Sequence, residues 1–118
     1  MTDAATAEKP QAAFEDFARL DMRVGRVVEV TPFPRARNPA YKVAVDLGIL
    51  GVRWSSAQIT SYTAEELLGT EVICICNFAP RNIAGFQSEI LILGARNETG
   101  DMIVLSPRSA VPLGSPIL

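Results

Sequence analysis

Short apolar runs separated by turn-forming residues predict five β-strands in this chain. The runs are rich in β-branched residues, and several alternate apolar with polar positions, as strands do when they bury one face. Gly25 predicts a bend or bulge in the first strand, and the lack of alternation in the last strand predicts that both of its faces are covered. The predicted strands cover residues 23–31, 41–47, 52–59, 71–78 and 89–94, and a short return strand covers 102–105.

Two short helices are predicted outside the strands. Phe14, Phe17 and Leu20 recur every three residues with charged residues between them, which indicates an amphipathic helix that needs a surface to pack on. Thr63 and Glu66 match the capping box that begins a helix. The second helix therefore lies between the third and fourth strands.

The order of these elements predicts the fold class. Five strands with one small helix between the third and fourth are typical of the OB-fold, a five-stranded Greek-key β-barrel. We therefore expect an all-β domain at residues 14–118, preceded by a flexible segment at residues 1–13. OB-folds meet ligands on strands two and three and on the loops between strands one and two and strands four and five. In this chain those loops are residues 32–40 and 79–88.

Composition narrows the possible functions. The chain has 118 residues and a net charge of −2. Its hydrophobic fraction of 48% is sufficient to form one core. No apolar run approaches the roughly 20 residues that span a bilayer, and the first 13 residues contain no apolar block of a secretory signal. We therefore expect a soluble, cytoplasmic protein without a membrane partner.

The side chains available for chemistry are few. Histidine is absent, which removes the most frequent general base and metal ligand. Cys74 and Cys76 lie on one face of a predicted strand about 6–7 Å apart, which suits neither a disulfide nor a four-ligand zinc site. We interpret them as small buried hydrophobes, with a redox or metal role as the alternative. Asp46, Glu89 and Asp101 are isolated carboxylates, so no catalytic residue, cofactor or metal site is predicted.

The basic residues are concentrated in the segments that an OB-fold presents to its ligand. Three windows, residues 31–42, 49–60 and 77–88, contain five basic and no acidic residues, whereas the other 82 residues contain 6 basic and 13 acidic ones. Such a distribution predicts a positive face on an acidic body, able to bind a polyanion with a salt-dependent affinity. The five basic residues are Arg35, Arg37, Lys42, Arg53 and Arg81.

Aromatic residues accompany these charges. Tyr41, Trp54, Phe78 and Phe86 lie in or beside the same windows, and aromatic rings next to cationic side chains are typical of single-stranded RNA recognition. Because side chains alternate along a strand, we expect at least two of the four rings to lie in the core. Neutral polar residues in the windows either add hydrogen bonds to the ligand or serve only as turn and loop residues.

Four ordered motifs carry a resemblance to a known family. They are RVGR at residues 23–26, AYKVAVDLG at 40–48, RWSSAQIT at 53–60 and NFAPRNIAGFQSE at 77–89. Together they resemble the tRNA-binding domain family, whose members are appended to methionyl- and phenylalanyl-tRNA synthetases. The SSAQIT stretch is similar to that of the stand-alone CsaA proteins, which are described as export-related chaperones.

The resemblance implies a non-catalytic OB-fold homodimer that binds tRNA. Carried over by motif, the RNA-binding residues are Arg35, Arg37, Lys42, Arg53, Ser55, Ser56, Asn77, Arg81, Asn82 and Ser88.

The apolar termini independently favour a dimer. Both ends carry more apolar residues than a small barrel needs, and such surplus surface is typical of a partner interface. The predicted interface residues are Phe14, Phe17, Leu20, Val111, Leu113 and Ile117.

An export-related chaperone is the alternative function. It would bind unfolded or preprotein segments in an apolar groove at the dimer seam, lined by Phe14, Phe17, Leu113 or Trp54.

Overall fold

A computed structural model describes residues 7–118 as a β-barrel with short helices. The predicted flexible segment at 1–13 lies partly outside the described residues, and residues 7–13 are exposed and belong to no helix or strand. The helices are α1 (Phe14–Ala18) and α2 (Ala64–Leu67), and a 3₁₀ turn covers Gly48–Leu50. The strands are β1 (Met22–Pro32), β2 (Tyr41–Asp46), β3 (Val52–Ala57), β4 (Glu71–Ile75), β5 (Arg81–Ile83), β6 (Phe86–Ser88), β7 (Leu91–Ile92), β8 (Gly94–Arg96) and β9 (Met102–Val104).

The main sheet has five antiparallel strands in the order β3-β2-β1-β4-β7. Its two edges approach each other, because the Glu89 N–H donates to the Trp54 carbonyl over 2.8 Å. The sheet is thus a nearly closed barrel, and the predicted all-β, OB-like fold is confirmed. The capping box also forms: the Thr63 hydroxyl accepts from the Glu66 N–H, and the Glu66 carboxylate accepts from the Thr63 N–H.

Strand alternation places the core on one side of β2 and β3. Val43 and Val45 of β2 are fully buried, and they join Ala57 and Ile59 in one apolar cluster with β4 and α2. The even-numbered residues of β2 and β3 therefore face the outside of the barrel. This alternation decides which predicted site residues reach the surface.

Four predictions about the strands were wrong in detail. The predicted loop at 79–88 contains the hairpin β5–β6, and the predicted strand at 89–94 is divided between β7 and β8. Leu91 is 43% exposed, so that segment is not covered on both faces. The irregularity of β1 lies between Val27 and Glu29. Gly25 instead faces the core, where a Cβ atom would lie 2.4 Å from Cγ1 of Val45.

The C-terminal segment forms backbone hydrogen bonds with the part of β1 that does not pair with β2. The Gly114 N–H donates to the Val24 carbonyl over 2.7 Å, the Val24 N–H donates to Ser115, and the Ile117 N–H donates to the Met22 carbonyl. The segment is extended, as its prolines predict. Of the predicted interface residues, Phe14 is 76% exposed, and the others are half-buried: Phe17, Leu20, Val111, Leu113 and Ile117.

Both cysteines are buried in the barrel and unpaired. Burial raises the pKa of the Cys74 thiol to about 12, and the adjacent Cys76 adds to the rise. Burial also raises the pKa of Cys76, and Asp21 adds to the rise. Both thiols therefore remain protonated at neutral pH. Because the reactive form of cysteine is the thiolate, both side chains are unreactive in the folded protein.

We expect the native protein to resist thiol reagents at about pH 8, and the urea-unfolded chain to react at both cysteines. Because the folded pKa of Cys74 exceeds its ordinary value of 9.0, its contribution to stability is complete below pH 9.0 and declines as the pH rises towards about 12. Urea denaturation on either side of pH 9.0 measures the decline. Rapid labelling of the native protein would contradict the burial of both thiols.

Candidate nucleic-acid interface

The outer face of β2 and β3 carries Lys42 and Ala44 of β2 and Trp54 and Ser56 of β3. Lys42 lies directly across from Ser56, and Ala44 lies across from Trp54. The loop between β1 and β2 and the hairpin β5–β6 flank this face. The predicted ligand-binding elements of the barrel therefore lie together.

An aromatic pair holds Lys42 in this face. The Lys42 Nζ lies 4.9 Å from the ring centroid of Phe33 and 5.1 Å from that of Phe86. The two rings contact each other edge to face at 5.4 Å, and Trp54 contacts Phe86 at 6.2 Å. Cation–π attraction at two rings restricts the ammonium group. The contact also joins the first loop, which carries Phe33, to the hairpin, which carries Phe86.

Two arginines from separate segments line one cleft of about 200 Å³. Arg37 comes from the first loop and Arg81 from the hairpin, and Ser56 of β3 lies between these segments in the cleft lining. We call this the arginine cleft. Both guanidinium groups belong to exposed residues, and no carboxylate lines the cleft. Its full lining is Ala36, Arg37, Asn38, Ala40, Ser56, Gln58, Arg81 and Ile83.

The basic residues of this face are not neutralised by neighbouring carboxylates. Within residues 7–118, the ion pairs join Arg19 to Asp16, Arg23 to Asp21 and Arg26 to Glu71. None of these includes a basic residue of the three windows. Arg35 is also exposed and lies in the same loop as Arg37. Within residues 7–118, neither Arg37 nor Arg81 forms an ion pair with a carboxylate.

Two predicted RNA-binding residues point away from the face. Arg53 lies on the core side of β3, where its Nη1 donates to the Cys76 carbonyl over 3.0 Å. Ser55 is 1% exposed, and its hydroxyl donates to the Ser56 carbonyl. Alternation along β3 separates both from Ser56. The burial of Ser55 does not agree with the prediction that its side chain contacts the ligand, whereas contact through the half-buried Arg53 stays a prediction.

Three further predicted residues make intramolecular hydrogen bonds. Asn77 accepts from the Asp21 N–H and donates to the Arg19 carbonyl, which joins the end of β4 to the segment before β1. The Asn82 side chain accepts from the Gly85 N–H in the hairpin turn. The Ser88 hydroxyl accepts from the Ser56 N–H. Contact of these three side chains with the ligand stays a prediction.

Sequence reasoning missed the role of Phe33, and it did not identify Trp54 as the hydrogen-bond partner of Glu89. Phe33 is buried against Lys42 and Phe86. Its position in the sequence, between two prolines and near Arg35, is the feature that could have indicated this role. Glu89 follows the hairpin, and its Oε1 accepts from the Trp54 N–H over 2.9 Å.

The expectation that at least two of the four window aromatics lie in the core is also wrong. Only Tyr41 packs against the core, and its hydroxyl donates to the Tyr62 carbonyl.

Residues 7–118 contain no helix long and apolar enough to cross a membrane. They also contain no group of three or more potential metal ligands among cysteine, aspartate and glutamate.

The fold is that of an OB-like barrel, and one of its faces carries exposed arginines from two separate segments. Residues 22–116 match the family described as "Putative tRNA binding domain", so the chain belongs to the tRNA-binding domain family.

Solved structures and curated sequences agree with this membership. The chaperone CsaA of Bacillus anthracis is 44% identical, with a TM-score of 0.87, and the match covers 92% of this chain and 100% of that one. CsaA of Picrophilus torridus is 40% identical over the same shares, with a TM-score of 0.87. The methionine–tRNA ligase of Porphyromonas gingivalis is 38% identical over 105 residues, which are 89% of this chain and 15% of the ligase. The chain thus spans about 15% of the length of the ligases that it matches.

Proposed function

We propose that this chain is a non-catalytic tRNA-binding protein and that the arginine cleft is its contact with the RNA backbone. The observation that carries the proposal is the convergence of Arg37 and Arg81, from two separate segments, on one cleft without a carboxylate. Membership of the tRNA-binding domain family supports RNA as the polyanion.

The chemistry of the cleft suits phosphate. A guanidinium group presents paired N–H donors that match two phosphate oxygens, and these charge-assisted hydrogen bonds are stronger than neutral ones. Lys42 adds a positive charge at a restricted position beside the cleft. Binding through such contacts releases counterions from the RNA, so affinity falls as salt rises.

A salt titration tests the phosphate contacts individually. We expect the logarithm of the tRNA affinity to fall linearly with the logarithm of the salt concentration. Arg37→Ala and Arg81→Ala should each make the slope shallower by about one, as measured by fluorescence anisotropy with labelled tRNA. Arg53→Ala is the comparison inside β3, because its side chain bonds to Cys76 away from the cleft. An equally reduced slope in Arg53→Ala would contradict the assignment.

A second candidate function is an export-related chaperone. It is favoured by the similarity to the CsaA chaperones and by exposed apolar side chains on the outside of β7 and β9, namely Leu91, Ile103 and nearby Leu105. Suppression of client aggregation that tolerates salt and survives the loss of Arg37 and Arg81 would support this function. If suppression and tRNA binding disappear together as salt rises, the chaperone role has no separate site.

The homodimer and the cytoplasmic location stay predictions. Light scattering at micromolar concentration tests the dimer, since a 12.7 kDa particle would reject it.

A further inference from the structure

We propose that a depression beside the arginine cleft binds one unstacked nucleobase of the RNA, and that Glu89 selects a base with an exocyclic amino group. The inference rests on the proposed tRNA-binding function and adds a base-specific contact to it.

The depression has the walls that a nucleobase requires. It encloses about 250 Å³ between β3, the hairpin β5–β6 and β7. Phe78 offers a ring that is 49% exposed, and Ile83, Ile90 and Leu91 supply further apolar wall. Bases extruded from single-stranded RNA bind by stacking on such rings.

The depression adjoins the phosphate site that we propose. Ser56, Arg81 and Ile83 line both the depression and the arginine cleft. Arg81 therefore borders a cationic compartment on one side and an apolar compartment on the other. A nucleotide joins a phosphate to a base through one ribose, so neighbouring compartments of these two kinds match the two ends of a single nucleotide.

Glu89 identifies the class of base. Glu89 lines the depression, and its carboxylate accepts a hydrogen bond from the Trp54 N–H. An ionised carboxylate can only accept hydrogen bonds, so it repels a second phosphate and attracts an amino group. Cytosine presents its N4 amino group, and carboxylates are known acceptors for that group. Uracil has no amino group, and the two carbonyl oxygens beside its single N–H are repelled by a carboxylate.

The polar groups favour a base over a polypeptide side chain. An apolar side chain in the depression would leave the Glu89 carboxylate and the Arg81 guanidinium without new partners. Buried polar groups without partners weaken binding. A nucleotide engages both groups, since its base can donate a hydrogen bond to Glu89 and its phosphate can accept hydrogen bonds from Arg81.

The test compares short oligo(C) and oligo(U) RNAs of equal length, bound to the full chain at one salt concentration and measured by fluorescence anisotropy. We expect the wild-type protein to prefer oligo(C). Glu89→Gln should reduce or reverse this preference, because the amide can still accept from the Trp54 N–H and can donate to a uracil carbonyl. Phe78→Ala should weaken oligo(C) binding on the order of tenfold, as expected for one lost stacking contact.

Two controls separate stacking from folding. Phe78→Leu keeps an apolar side chain and removes the ring, so it should also lose affinity. Ile49→Ala removes a large apolar side chain that is 88% exposed in the 3₁₀ turn, and it should leave oligonucleotide binding unchanged. Circular dichroism of every variant confirms folding.

Equal wild-type affinity for the two RNAs, or an unchanged preference in Glu89→Gln, would overturn the base selection. Unchanged oligo(C) binding in both Phe78 variants would overturn the subsite. An apolar peptide that loses binding in Phe78→Ala, while oligo(C) does not, would assign the depression to polypeptide and overturn it as well. In all of these cases tRNA binding that depends on Arg37 and Arg81 would stand, so failure of the subsite is distinguishable from failure of the proposed function.

Discussion

Reversing the charge of both cleft arginines, by Arg37→Glu together with Arg81→Glu, is expected to lower tRNA affinity by at least about a hundredfold near physiological salt. Each arginine is expected to make charge-assisted hydrogen bonds worth about 1.5–3 kcal/mol, and two such losses correspond to about 100-fold or more in affinity. The new carboxylates would also repel the phosphates. The measurement is a tRNA titration by anisotropy, with thermal unfolding to show that the barrel is intact.

A matched double variant separates the cleft from the net charge of the chain. Arg19→Glu with Arg108→Glu makes the same change in charge at two exposed positions outside the cleft lining. The ion pair of Arg19 with Asp16 is on the surface, and such pairs contribute little to stability. We expect tRNA affinity in this control to stay within about threefold of wild type, since only long-range charge is altered. Equal losses in both double variants would show that net charge, and no particular cleft, attracts the RNA.

The second large effect is expected at the junction of the 3₁₀ turn with the C-terminal segment. Gly48 has a φ of +65°, and a Cβ atom there would lie 2.3 Å from the carbonyl oxygen of Leu113. Gly48→Ala thus combines left-handed backbone strain of about 1–2 kcal/mol with a backbone collision that adds about 1–3 kcal/mol. We expect the free energy of unfolding to fall by about 2–5 kcal/mol in urea denaturation.

Gly69→Ala is the control for that prediction. Gly69 has a φ of +84°, but no atom lies within 4 Å of where its Cβ would be. It should therefore show the backbone strain alone, about 1–2 kcal/mol. If the two variants lose the same stability, the contact with Leu113 does not explain why position 48 needs glycine.

Local patterns were sufficient for the strands and the capped helix. In β2 the large apolar residues Tyr41, Val43 and Val45 occupy alternate positions, and the Thr63 capping box begins α2 where the sequence predicts it. Such signals act between residues that are close in the chain, so the sequence displays them directly. The hairpin β5–β6 was not predicted, because its strands have three residues each, which is too few to show the two-residue alternation of a strand.

The division of β3 into two faces needed the packed barrel. Alternation requires that Arg53 and Ser55 lie on one face and Trp54 and Ser56 on the other. Both faces contain apolar residues in the sequence, so composition does not show which one is buried. Packing decides it, because Ala57 joins the core cluster and carries the face of Ser55 inward.

The sequence by itself determined the barrel class, the order of its main strands and the segments that carry positive charge without carboxylates. Only the tertiary structure decided which of those charges meet. Arg37 and Arg81 are distant in the chain and share a cleft because a loop and a hairpin converge on β3, whereas Arg53 is turned towards Cys76 by its place in the strand. Side-chain alternation and the approach of distant segments are properties of the folded barrel, and no local pattern along the chain records them.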